Sequence, residues 1–122
     1  MANDSVGGDR ELLIAAYREF NARRIDAVLA LMHPSIVWPN GMEGGYVHGH
    51  DGVRAYWTRQ WGTIDPHVEP LHMEKDEAGR TLVEVHQRVR DLDCKLLIDT
   101  IVHHAYTIRA GLIERMEIEL VT

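Results

Sequence analysis

The side chains in this chain best placed to do chemistry are its eight histidines and four tyrosines. An imidazole changes charge near neutral pH, and a phenol keeps a proton to donate there. Spacing decides which of them can act together. His103 and His104 are neighbours in a stretch of alternating apolar residues, Lys95 to Arg109, and adjacent side chains of a strand project to opposite faces. They therefore cannot hold one ion between them. His48-Gly49-His50 forms a pair, but Arg54 stands where an acidic ligand would be needed, and His67, His72 and His86 lack tight spacing. No metal and no cofactor is expected. The single cysteine, Cys94, has no second cysteine for a disulfide, zinc or redox motif. What remains is proton transfer and hydrogen bonding. His104 shares its parity with Ile98, Thr100, Val102, Tyr106 and Ile108, so it is expected inside, as an acid or base for a bound ligand. The competing reading is a core histidine satisfied by a hydroxyl, either Tyr17 or Thr100.

Composition narrows the function classes. The 122 residues carry a formal net charge of -6, and the longest basic run is Arg23-Arg24. A nucleic-acid partner would need a basic footprint, so none is expected. Nowhere do about 18 apolar residues run together, and Met1 to Gly8 has neither a basic nor an apolar leader segment, so no membrane partner and a cytoplasmic location are expected. The length suits one domain, residues 1–122, with residues 1–8 a flexible tail.

The elements that must position these groups follow from periodicity. Leu12, Leu13, Ala16, Tyr17 and Phe20 fall on one helical stripe between Asp9 and Phe20, with Asp9 as its cap and Asn21 as its end. Ile25, Val28, Leu29 and Met32 form a second stripe, which Pro34 is expected to stop. Ile36 to Trp38 reads as a short strand before a loop rich in glycine. Val53, Tyr56, Trp57 and Trp61 then mark a third helix capped by His50 or Asp51. From Val68 the period changes to two. Strands are expected at Val68 to Lys75, Thr81 to Arg90, Lys95 to Arg109 and Leu112 to Val121, an antiparallel meander whose long third member must bend. Val83, Val85, Gln87 and Val89 should face inward, as should Met116, Ile118 and Leu120.

This order of elements resembles the NTF2-like superfamily, particularly its SnoaL-like and ketosteroid-isomerase-like members. Local matches are Tyr17 to Phe20 followed by Asn21 to Met32, Ile36-Val37-Trp38, Val47-His48-Gly49, and Tyr106 to Ile113, together spanning roughly Leu12 to Leu120. The resemblance implies an α+β, cystatin-like cone, with three helices on a strongly curved, mostly antiparallel sheet that encloses a pocket. It also implies a homodimer through the outer sheet face. Ketosteroid isomerases carry a catalytic tyrosine, a base aspartate and a protonated aspartate; the matching positions here are Tyr17, Asn40 and His104. Asn40 cannot act as the base, because an amide has no accessible titration. Its remaining readings are a hydrogen bond to a substrate carbonyl, or a turn residue after Pro39. Tyr17 could donate to an oxyanion or be an aromatic of the core stripe. Glu43, in the loop, could supply a carboxylate if that loop folds inward. Trp38, Trp57, Val85, Gln87, Tyr106, Met116 and Ile118 are the expected walls for a small apolar ligand. The expected function is acid/base isomerisation, cyclisation, dehydration or hydration of an apolar cyclic substrate, with a non-catalytic binding domain as the alternative.

Overall fold

In the computed structural model, which describes residues 5–119, the elements in chain order are α1 (Ser5–Asn21), α2 (Ile25–Leu29), β1 (Met32–Pro39), β2 (Tyr46–His48), α3 (Gly49–Trp61), β3 (Ile64–Lys75), β4 (Thr81–Asp91), β5 (Leu96–Arg109) and β6 (Leu112–Glu119). The alternating half of the chain folds as the expected meander: β3 pairs β4, β4 pairs β5 and β5 pairs β6, all antiparallel. The sheet has six strands rather than five, in the order β2-β1-β6-β5-β4-β3, and it is curved and unclosed. The three helices cover its concave side, giving the α+β NTF2-like cone.

Most departures from the periodicity reading lie near prolines and glycines. Pro34 does not stop a helix. α2 already ends at Leu29, because the next residues are drawn into the sheet, where the Ile113 amide donates to the Leu31 carbonyl at 2.9 Å. Met32 then pairs in parallel with Ile113, and Pro34 falls where the β1–β6 register shifts, so its missing amide interrupts no ladder bond. β2 was not foreseen: its three residues pair with Val37 to Pro39 across a tight loop in which Gly44 and Gly45 adopt positive φ. β3 begins at Ile64 and tolerates Pro66 and Pro70 because it borders the sheet.

Two expected caps are corrected. Asp9 lies inside α1, where its carboxylate receives the Lys75 ammonium at 2.8 Å. Neither His50 nor Asp51 caps α3; the helix starts at Gly49, and His50 Nε2 instead donates to the Met32 carbonyl at 2.9 Å. α1 also starts earlier than its apolar stripe, at Ser5, so only residues 1–4 of the expected tail lie outside the described residues. Leu120 and Val121 lie outside them as well.

Parity sorted the sheet well. Val83, Val85 and Val89 are buried, whereas Glu84, His86 and Arg88 lie on the opposite, partly exposed face. On β5, Val102, His104 and Tyr106 turn inward and are buried. β6 carries an extra residue, Glu114, opposite the Thr107–Ile108 step, which brings Ile113 and Met116 to the same buried side. The core gathers Leu13, Val28, Ile36, Val53, Trp57 and Ile113 between helices and sheet. At the end of α1 the Asn21 amide binds both backbone groups of Val68, donating to its carbonyl at 2.7 Å and accepting from its N–H at 3.0 Å.

Candidate functional site

Because the sheet curls and the helices close over it, large side chains from opposite walls meet without filling the space between them. A chamber with a volume of about 190 Å³ runs from the loop after β1 to His104, and a deeper lobe of about 50 Å³ continues past it. The two share Phe20, Trp38, Trp57, Val68 and His104 as walls. Trp38 and Phe20 each meet Trp57 edge-on, with ring centroids 5.4 and 5.2 Å apart, so the aromatic wall is packed rather than loose.

The polar centre of the chamber is a chain of three buried groups. The Tyr106 hydroxyl donates to the Tyr17 hydroxyl at 2.8 Å, and Tyr17 in turn lies 2.8 Å from His104 Nδ1. None of the three is more than 6% exposed, so each must find its partner inside the protein. With its oxygen accepting from Tyr106, Tyr17 can donate its own proton to Nδ1. In that arrangement the imidazole proton sits on Nε2, an atom that no described residue engages. Burial, and to a lesser extent the neighbouring His103, lowers the His104 pKa from 6.5 to about 4. Burial also raises the Tyr17 pKa well above the ordinary phenol value, with Tyr106 adding to the shift. At neutral pH all three groups are uncharged. In that arrangement His104 is a neutral hydrogen-bond donor, rather than the near-neutral acid or base that its unperturbed pKa implied.

The other expected site residues divide. Gln87, Met116 and Ile118 line the larger lobe, Tyr106 lines the deeper one, and Trp38 and Trp57 line both. Val85 does not reach the chamber; it is fully buried in the solid part of the core. Asn40 is not a wall either. Its Oδ1 accepts the Met42 and Glu43 amides at 3.1 and 2.9 Å, so the turn after Pro39 uses the acceptor that a substrate was expected to meet. Nor does Glu43 turn inward to supply the missing carboxylate. The hydrogen bond from Asn40, then the Arg59 charge at 2.8 Å, lower its pKa, and both hold it at the surface. Among the described residues, neither lobe is lined by Asp, Glu, Lys or Arg.

Sequence reasoning missed Phe20 and Val68 as walls, and also Tyr56 and Gln60, which line the larger lobe. Tyr56 and Gln60 stand one helical turn apart on the face that carries Trp57, so helical spacing could have found them. Two other histidines make contacts away from the chamber. His86 meets Asp99 at 2.6 Å on the outer face, and His33 takes the Ser35 amide at 3.0 Å. Among the described residues, no group of three or more His, Cys, Asp or Glu could hold a metal ion, and no helix is long and apolar enough to cross a membrane.

The model of the SnoaL-like domain matches residues 13–116. No curated protein matches significantly. Among solved structures, TerC co-crystallised with polyporic acid is 26% identical and superposes with a TM-score of 0.80 over 93% of this chain and 92% of its own. An NTF2-like protein of unknown function from Burkholderia pseudomallei is 23% identical, with a TM-score of 0.80 over 93% and 91% of the two chains. A candidate polyketide cyclase from Xanthomonas campestris pv. campestris is 16% identical, again at 0.80, over 92% and 89%.

Proposed function

The chain belongs to the SnoaL-like domain family, and from that premise we propose that it binds a flat, uncharged, largely apolar small molecule by a carbonyl oxygen, which the Nε2–H of His104 polarises. The observation that carries this reading is the relay Tyr106 to Tyr17 to His104, because it leaves one proton and no charge facing an apolar chamber. Each donation in such a chain polarises the next group, so the two phenols make Nε2–H a stronger donor than an isolated imidazole. A neutral imidazole in this role stabilises negative charge as it develops on the carbonyl oxygen. Isomerisation and ring closure through an enol are reactions of that kind. The polyporic acid in the TerC structure supports a small organic ligand for this chain.

A second reading, a domain that holds its ligand unaltered, is favoured by the absence of a carboxylate from the lining among the described residues. Mass spectrometry of the co-purified small molecule before and after prolonged incubation separates the two.

The test of the carbonyl site is spectroscopic. When para-ethylacetophenone binds, its carbonyl stretching band is expected to move to lower wavenumber than in an apolar solvent. Tyr17→Phe should shrink that displacement while the ketone still binds. A bound ketone with its band at the apolar-solvent position would sink the reading.

Self-association through the outer sheet face belongs to the same proposal. Leu97 and Ile101 are 50% and 37% exposed there, on the same strand as the Asp99 that pairs with His86. A purely monomeric sedimentation profile at high protein concentration would remove this element.

A further inference from the structure

Tyr56 is buried at the end of the chamber nearest the loop after β1, and its phenol oxygen is fully occupied. It accepts the Gly41 amide at 3.0 Å and the Gln60 Nε2 at 3.1 Å. A phenol oxygen has two lone pairs and one proton. With the Gln60 amide in this orientation both lone pairs are taken, and the Tyr56 proton finds no acceptor among the described residues. Burial raises the pKa of Tyr56, so that proton stays on the phenol oxygen. Arg59 and Glu43 stand close by, but they neutralise each other at 2.8 Å and leave no net charge at this end.

The two ends of the chamber thus repeat one device with unrelated residues. At one end Tyr17, backed by Tyr106, fills the acceptor side of His104, and at the other a backbone amide and a glutamine fill the acceptor side of Tyr56. In each case one proton is left over. The Gln60 carbonyl oxygen is buried without a partner, sealed from solvent, and so offers little to a ligand.

We propose that Tyr56 is a second ligand anchor, and that the chamber selects a flat, uncharged molecule with a hydrogen-bond acceptor at each end, a dicarbonyl compound. This rests on the reading of His104 as a carbonyl donor.

The test uses three probes of one shape: para-diacetylbenzene, para-ethylacetophenone and para-diethylbenzene, with two, one and no carbonyl groups. Binding is followed by tryptophan fluorescence, since Trp38 and Trp57 line the chamber. The intact protein should bind the diketone about fivefold more tightly than the monoketone, and the monoketone about fivefold more tightly than the hydrocarbon, one net hydrogen bond per step. Tyr56→Phe should abolish the first step and keep the second.

Equal affinity for diketone and monoketone, with the monoketone still ahead of the hydrocarbon, overturns the second anchor and leaves the His104 reading standing. It would mean that the Gln60 amide is turned to accept the Tyr56 proton itself. Equal affinity for all three probes, or no binding of any, overturns the carbonyl reading and the second anchor together. The comparison is made on the unsubstituted protein, so it does not depend on the variant folding.

Discussion

Lowering the pH from 6.5 to about 4 is expected to remove roughly 3 kcal/mol of stability through His104 alone, the free-energy equivalent of its pKa displacement. The sign follows from which state binds the proton. The folded imidazole titrates near 4, whereas the unfolded one keeps its ordinary value of 6.5, so between these values the unfolded chain takes up a proton that the folded chain refuses. Stability therefore rises with pH across this window. The contribution is fully present above 6.5, shrinks as the pH falls, and is gone once the folded group protonates. The measurement is chemical denaturation at several pH values, compared with His104→Asn, which keeps an acceptor for Tyr17 but does not titrate. The wild-type advantage over the variant should fall by roughly 3 kcal/mol across the window. A difference that does not change with pH would show that the imidazole is solvated and does not sit in the apolar chamber.

The second large effect concerns the middle of the relay. Tyr17→Phe strands two buried groups at once, the Tyr106 proton and His104 Nδ1, and should cost about 2–4 kcal/mol. Tyr106→Phe removes only the outermost donor, orphans no proton, and should cost about 1 kcal/mol. The double variant should cost less than the two single costs combined, because removing the Tyr106 hydroxyl also removes the group that Tyr17→Phe had orphaned. Urea midpoints of the four proteins decide this. Equal costs for the two single variants would show that the Tyr17 hydroxyl is not shared between Tyr106 and His104.

The sheet was legible in the sequence because alternation is a local signal. Val83, Val85 and Val89 against Glu84, His86 and Arg88 fixed the inner face of one strand, and the turns at Asp91 and Ala110-Gly111 fixed its neighbours. β1 and β2 were less legible. Pro34 removes an amide wherever it occurs, and only the parallel pairing of Met32 with Ile113 shows that none was needed there. The site was legible in part for a similar reason. Tyr17 appeared as a possible hydroxyl partner of His104, but the two lie 87 positions apart, and Tyr106, which completes the relay, lies 89 from Tyr17. No periodicity connects such separations. Asn40 was chosen from the resemblance to ketosteroid isomerases, and its amide serves the turn instead. Burial, too, is a property of the assembled core, so the lowered pKa of His104 could not be read from the strand that carries it.

The Asn21 clamp on Val68 has a consequence beyond this one molecule. β3 forms one border of the sheet, and there, at Val68, a side chain already satisfies two backbone groups that a stray strand would seek, while Pro66 and Pro70 offer no amide at all. The opposite border, β2, is only three residues long. Both margins therefore offer an incoming strand fewer free backbone groups than a sheet of six strands left open would otherwise present.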